Sequence, residues 1–164
     1  MGIIKDRFKT KSEKTAADIK EMLKTHGNKK IGEVTLSQIY QGMRGMTGLV
    51  TETSLLDAQE GIRFRGYSIP DLREKLTKAP GGSEPLPEGL YLLMLLGDLP
   101  SDDDVHHITS TWQRRSHVPN HVFATIEALP VNSHPMTQFV TAVMALQTES
   151  VFAKKYAAGL NKKD

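Results

Sequence analysis

Apolar positions are unevenly spread along the chain, and their spacing predicts a mainly helical protein. The clearest signal is Met136, Phe139, Val140, Val143 and Met144, which recur at the helical period behind Ser133, a residue suited to cap a helix. The opposite side, Thr137, Thr141, Ala142 and Ala145, is small or polar and lets another helix approach closely. Phe152, Tyr156 and Leu160 continue the periodic pattern. A second run, Leu90 to Leu96, is apolar almost all round and is bounded by Pro85-Leu86-Pro87-Glu88-Gly89 and by Gly97. A helix of that kind is expected to be buried in a larger helical body. Ser101 with Asp102, Asp103 and Asp104 begins a further helix, with acidic groups at the positive end of its dipole. Val105, Ile108 and Trp112 should face inward on it, with Arg114 and Arg115 at the far end. Pro119-Asn120 starts another, with Val122, Ile126 and Leu129 along one side. Residues 4–25 carry a sparse stripe, Ile4, Phe8, Ile19, Met22 and Leu23, on an otherwise charged helix that Gly27 can end. That composition predicts a solvated surface arm.

The period shortens elsewhere. Thr53 to Leu56 and Ile62 to Phe64 are apolar and β-branched and flank the turn-like Asp57-Ala58-Gln59-Glu60-Gly61, which predicts two short strands. Ile31 to Val34 is a further short strand candidate. Thr35 can cap a short helix through Tyr40, ended by Gly42. Ser68-Ile69-Pro70-Asp71 has the spacing of a capping box, and Leu72 and Leu76 give the helix after it one apolar face. Lys78 to Ser83 reads as a loop.

Composition narrows the function classes. The 164 residues are 38% hydrophobic and 24% charged, which suits one soluble domain able to bury a core. A net charge of +2 gives no electrostatic case for nucleic acid, and the absence of cysteine excludes disulfides and thiolate metal sites. The longest apolar run is too short to span a bilayer, so no membrane partner is expected. The basic segment Met1 to Lys14 contains Asp6 and Glu13, unlike a transit peptide, and Asp6 stands where myristoylation wants Ser or Thr.

Candidate chemistry is sparse. His26, His106, His107, His117, His121 and His134 show no metal-ligand spacing and no Ser-His-Asp arrangement, so structural roles are expected. The three adjacent aspartates read as a helix start rather than a metal site. The informative stretch is Gln41 to Pro70, which holds five glycines and three arginines, Arg44, Arg63 and Arg65. Glycine permits tight turns, and arginine suits carboxylate or phosphate. From the residues alone this is either a structured turn with solvated arginines or an anion site.

The order of motifs favours the second. QGMRGMTGL at residues 41–49, ETSLLDAQEGIRFRGYSIP at 52–70, EPLPEGL at 84–90 and HPMTQFVTAVMALQTES at 134–150 resemble the N-terminal part of citrate synthase, most of all its mitochondrial type, with Gln41 in place of a glycine. The likeness begins near His26 and runs to the end of the chain. It implies a mainly α, citrate synthase-like helical bundle, truncated, with a small β-element near residues 49–66. Residues 1–28 would be a helical arm, and 29–164 the N-terminal portion of the large helical domain, without the small catalytic domain.

The resemblance also implies chemistry. The family condenses acetyl-CoA with oxaloacetate to citrate and CoA, in the tricarboxylic acid cycle, using two histidines and an aspartate. No position here matches those three, so no catalytic residue is assigned. Arg44 matches a family arginine that contacts CoA phosphate. Lys162 falls where the family often has a second such arginine, but it lacks the bidentate fork. Arg63 and Arg65 are read as structural. Acetyl-CoA and CoA would be substrate and product, with no permanently bound cofactor and no metal. The helices at 120–129 and 133–150 resemble those of the family's homodimer interface, and a mitochondrial matrix location follows from the likeness alone. The chain by itself is expected to be inactive. The alternative is a non-catalytic interaction or structural module that keeps the dimerisation helices.

Overall fold

A computed structural model describes residues 2–46, 48 and 50–161 of the chain. The chain divides into two compact units, residues 1–113 and 114–164.

The first unit is organised by α4 (Pro87–Leu96). Pro87 occupies the first turn, where a missing N–H costs nothing, and Gly97 ends the helix in the left-handed conformation at φ 82°. Leu92 and Leu93 are fully buried and Leu96 nearly so. Successive helical positions point in different directions, so α4 serves two cores. Leu92 and Leu96 join Val105 and Ile108 of α5 (Asp102–Arg114) and Ile4 of α1 (Gly2–His26). Leu93 joins Leu72 and Leu76, at and just beyond α3 (Ile69–Lys75), with Phe64, Tyr67 and Leu90 packed alongside. The larger body expected around α4 is thus supplied by its own chain. On α5 the inward positions are Val105, Ile108 and Thr111. Trp112, expected inside, stays 38% exposed and meets Tyr91 edge-on, with ring centroids 5.2 Å apart.

The β-element is a three-stranded antiparallel meander, β1 (Ser54–Asp57), β2 (Gly61–Phe64) and β3 (Tyr67–Ser68). The Asp57 carboxylate accepts the Gln59 and Glu60 N–H groups and shapes the first turn. β3 is a strand that the sequence pattern does not predict. The short strand expected at Ile31 to Val34 does not form, because no other strand pairs with that segment. The capping box expected at Ser68 forms, and the cap expected at Thr35 is a box as well. Ser68 and Asp71 bond reciprocally at the start of α3, and Thr35 and Gln38 do so at α2 (Leu36–Tyr40).

The second unit holds α6 (Asn120–Glu127) and α7 (Pro135–Ala145), a 3-10 turn Leu146–Glu149, and α8 (Val151–Ala157). Two boundaries differ from expectation. His134, not Ser133, caps α7, its Nδ1 accepting the Met136 N–H at 3.1 Å. The helix expected over 133–150 stops at Ala145, and Ser150 caps α8 separately. α7 packs against α6. Its half-buried positions are Gln138, Thr141, Ala142 and Ala145, on the small and polar side. Its apolar face, Met136, Phe139, Val140, Val143 and Met144, is at least half exposed throughout.

Among the described residues, no helix is long and apolar enough to cross a membrane.

Candidate functional site

The three arginines of the glycine-rich stretch meet different fates. Arg63 donates from Nε and Nη2 to one Glu60 carboxylate oxygen, at 3.1 and 2.9 Å, and from Nη1 to the Gly66 carbonyl at 3.1 Å. Arg65 lies in the left-handed region at φ 49° and sends Nε and Nη2 to the Met94 carbonyl, at 3.2 and 2.7 Å, while Nη1 pairs with Glu52 at 3.4 Å. Both are spent on holding the meander to itself and to α4, in keeping with the structural role expected of them. Arg44 is exposed and makes no ion pair among the described residues.

The local sequence explains how Arg44 comes to project. After α2 the Gly42 N–H bonds to Ile39 O and the Met43 N–H to Gln38 O, at 3.3 and 2.8 Å. This is the paired hydrogen bonding of a Schellman stop, and it requires a left-handed residue at Gly42, φ 72°. Met43 at φ 61° and Gly45 at φ 71° extend the reversal, so Arg44 sits at the apex of a run of left-handed residues. Gln41 has φ −90°, a conformation open to any residue, so a side chain there imposes no backbone strain. A cleft beside this turn is lined by Ile31, Gly32, Glu33, Val34, Gln38, Gly45 and Met46. Among the described residues the Arg44 guanidinium has no ion-pair partner, and such a group can grip phosphate or carboxylate.

Lys162, the second candidate, lies outside the described residues. The histidines take surface positions. His121 donates from Nε2 to the Ala145 carbonyl at 3.0 Å, tying α6 to the end of α7, and His134 caps α7. Among the described residues, no three His, Cys, Asp or Glu side chains gather as a metal would require.

One buried polar group escapes sequence reasoning. Glu88, in the first turn of α4, is 92% buried at 8% exposure, with Oε1 accepting from the Thr109 hydroxyl at 3.1 Å and Oε2 without a partner. Its place in the first turn of an apolar helix gives a weak sequence signal, since an acidic group is favoured there whether buried or not.

The fold is similar to that of a solved citrate synthase from the archaeon Thermoplasma acidophilum. That structure, a ternary complex with carboxymethyl coenzyme A and oxaloacetate, matches 68% of this chain and 27% of its own at a TM-score of 0.55 and 22% identity. A sequence model of the family described as "Citrate synthase, C-terminal domain" matches residues 42–163. The chain belongs to the citrate synthase family. A mitochondrial citrate synthase of Aspergillus niger is 50% identical over 161 residues, which is 98% of this chain and 34% of the relative. That of Xiphias gladius is 49% identical over 144 residues, 88% and 31% respectively. A mitochondrial 2-methylcitrate synthase of Yarrowia lipolytica is 49% identical over 161 residues, 98% and 35%. The chain spans about a third of the length of these relatives.

Proposed function

We propose that this chain is the N-terminal portion of a citrate synthase that condenses acetyl-CoA with oxaloacetate in the mitochondrial matrix. In this reading residues 1–28 form an arm and 29–164 the front of the large helical domain. Arg44 contacts a CoA phosphate, Lys162 adds a weaker charge, and the groups that move protons come from sequence outside this stretch. The matching family model is described as a C-terminal domain, so the position within the longer enzyme is itself part of the proposal. The observation that carries the reading is that, among the described residues, Arg44 has no ion-pair partner while Arg63 and Arg65 are spent on structure. The matrix location rests on relatives named as mitochondrial.

The second element of the proposal is the homodimer. The bare face of α7 is what a two-fold interface needs: an apolar patch that its own subunit does not cover. A non-catalytic module would use the same face, so exposure alone does not separate the two readings. Activity does.

The test exchanges residues 26–161 into the matching stretch of the Aspergillus niger enzyme and follows thiol release from acetyl-CoA with oxaloacetate. The chimera should turn over, and the chain alone should not. A folded but inactive chimera overturns the enzymatic reading in favour of the module. In the active chimera, Arg44→Ala should raise KM for acetyl-CoA about tenfold or more, the scale of one charge-assisted hydrogen bond, with kcat little changed. An unchanged KM removes Arg44 from the site. Propionyl-CoA in the same assay addresses the acyl group, because the 2-methylcitrate synthase matches this stretch as well as the citrate synthases do.

A further inference from the structure

We propose that the first turns of α1 form an ionic strap on the carbonyl end of α4, one that detaches as a unit while the core around α4 stays folded. α4 brings no basic residue of its own to its last turn. A helix C-terminus carries partial negative charge and unsatisfied carbonyls. Here two cations from outside the helix supply what is missing. Lys11 of α1 donates to the Leu96 carbonyl and pairs with Asp98, and Arg65 takes the Met94 carbonyl. They converge on one point: a Cβ at Gly97 would lie 3.7 Å from both the Arg65 Cζ and the Lys11 Nζ.

The strap's own contacts are few and arranged along one stripe. Ile4, Arg7 and Lys11 recur at i, i+3 and i+7 and so share a face of α1. Ile4 is 5% exposed and plugs the cluster of Leu92, Leu96, Val105 and Ile108. Arg7 meets Asp104 at 2.7 Å. From Ser12 to His26 every residue of α1 is exposed, so the second half of the helix contributes no buried contact. The apolar stripe expected from Ile4, Phe8, Ile19, Met22 and Leu23 is therefore not the contact face. Ile4 alone of those five is buried, and the remaining grip is ionic.

That division makes the strap separable. Ion pairs between partly exposed groups weaken as salt rises, whereas the leucine core beneath does not depend on charge. A segment held, among the described residues, by one apolar plug and screened charges belongs to the low-stability end of a structure, opening more readily than the elements it covers.

Hydrogen exchange read by mass spectrometry on the full chain tests this. The salt concentration is raised at neutral pH from about 0.05 M to about 1 M, where the Debye length shrinks to about 3 Å. Amides in residues 5–12 should exchange about tenfold faster in high salt, while those in residues 91–96 and 106–110 hold their protection. Lys11→Met and Asp104→Asn should each speed exchange in the strap at low salt and blunt its salt response. Lys9→Met, on the same helix and paired among the described residues with Glu13, should leave that response intact. Strap and α4 exchanging together at both salt concentrations would show an integral helix and overturn the proposal. So would a strap already unprotected at low salt. The salt series on the unaltered chain decides the matter even if a variant fails to fold.

Discussion

α4 and α7 are the two apolar helices of this chain, and their surroundings differ. α4 lies against Ile4, Leu72, Leu76, Val105 and Ile108, which leave three of its leucines almost without exposure. α7 turns its small side to α6 and leaves Phe139 60% and Met144 68% exposed. Apolar content alone therefore does not decide burial. α4 has apolar elements before and after it in sequence that fold back on both its sides. α7 has one short neighbour, α6, which meets its small and polar side and leaves its apolar face uncovered. What separates them is the neighbourhood, not the helix.

The comparison is sharpest under truncation. Leu93→Ala removes a fully buried side chain between α4 and α3 and should cost about 3 kcal/mol, read from the urea midpoint of the first unit. A loss below about 1 kcal/mol would mean that α4 is not the organising helix.

Acid should separate the two units next. Among the described residues, the aspartates held below their ordinary value of 3.8 are Asp57, Asp71, Asp98 and Asp104, all in the first unit. Backbone N–H groups of Glu60 and Gln59 lower Asp57, Ser68 lowers Asp71, and Lys11 lowers Asp98. For Asp104, burial pushes upward, but Arg7 and the Ser101 N–H and hydroxyl outweigh it. A carboxyl depressed in the folded state contributes stability above its unfolded value and loses it as pH falls through the folded one. Protection in the first unit should thus decline from about pH 4 downward, with the second unit less affected. Equal decline in both would break the contrast.

The smallest expected effect is the most telling. Phe139→Ala in the chain alone should change stability by no more than about 0.5 kcal/mol, because the ring has little packing to lose. In the active chimera the same substitution should weaken dimerisation, measured by sedimentation. A large loss in the isolated chain would show that its own residues cover α7 in solution.

Much of this was legible in the sequence where the cause is local. The Ser68–Asp71 box, the Thr35 cap, the Gly42 and Gly97 stops and the β1–β2 turn each depend on residues a few positions apart. Some misses have non-local causes, and one is a local shift of cap. Ile31 to Val34 has strand composition but no strand to pair with. One position along α5 puts Thr111 rather than Trp112 inside, a phase that only the neighbouring helix can set. His134 displaced Ser133 as a cap by a shift of one residue. For the candidate site, spacing shows three arginines but not which is spent. Arg65 finds its partner at Met94, 29 positions away, a contact that spacing cannot show, and Arg44 is singled out by the family resemblance rather than by spacing.

The edge-on pair of Tyr91 and Trp112 gives this protein a private optical channel. Trp112 is the chain's single tryptophan, and its indole sits on α5 against the α4 spine. Its emission, fed by energy transfer from the adjoining phenol, will follow the packing of those two helices during unfolding. A melting curve taken by fluorescence is thus a report on the leucine-lined half, and an independent probe placed beyond residue 114 is needed to watch the other.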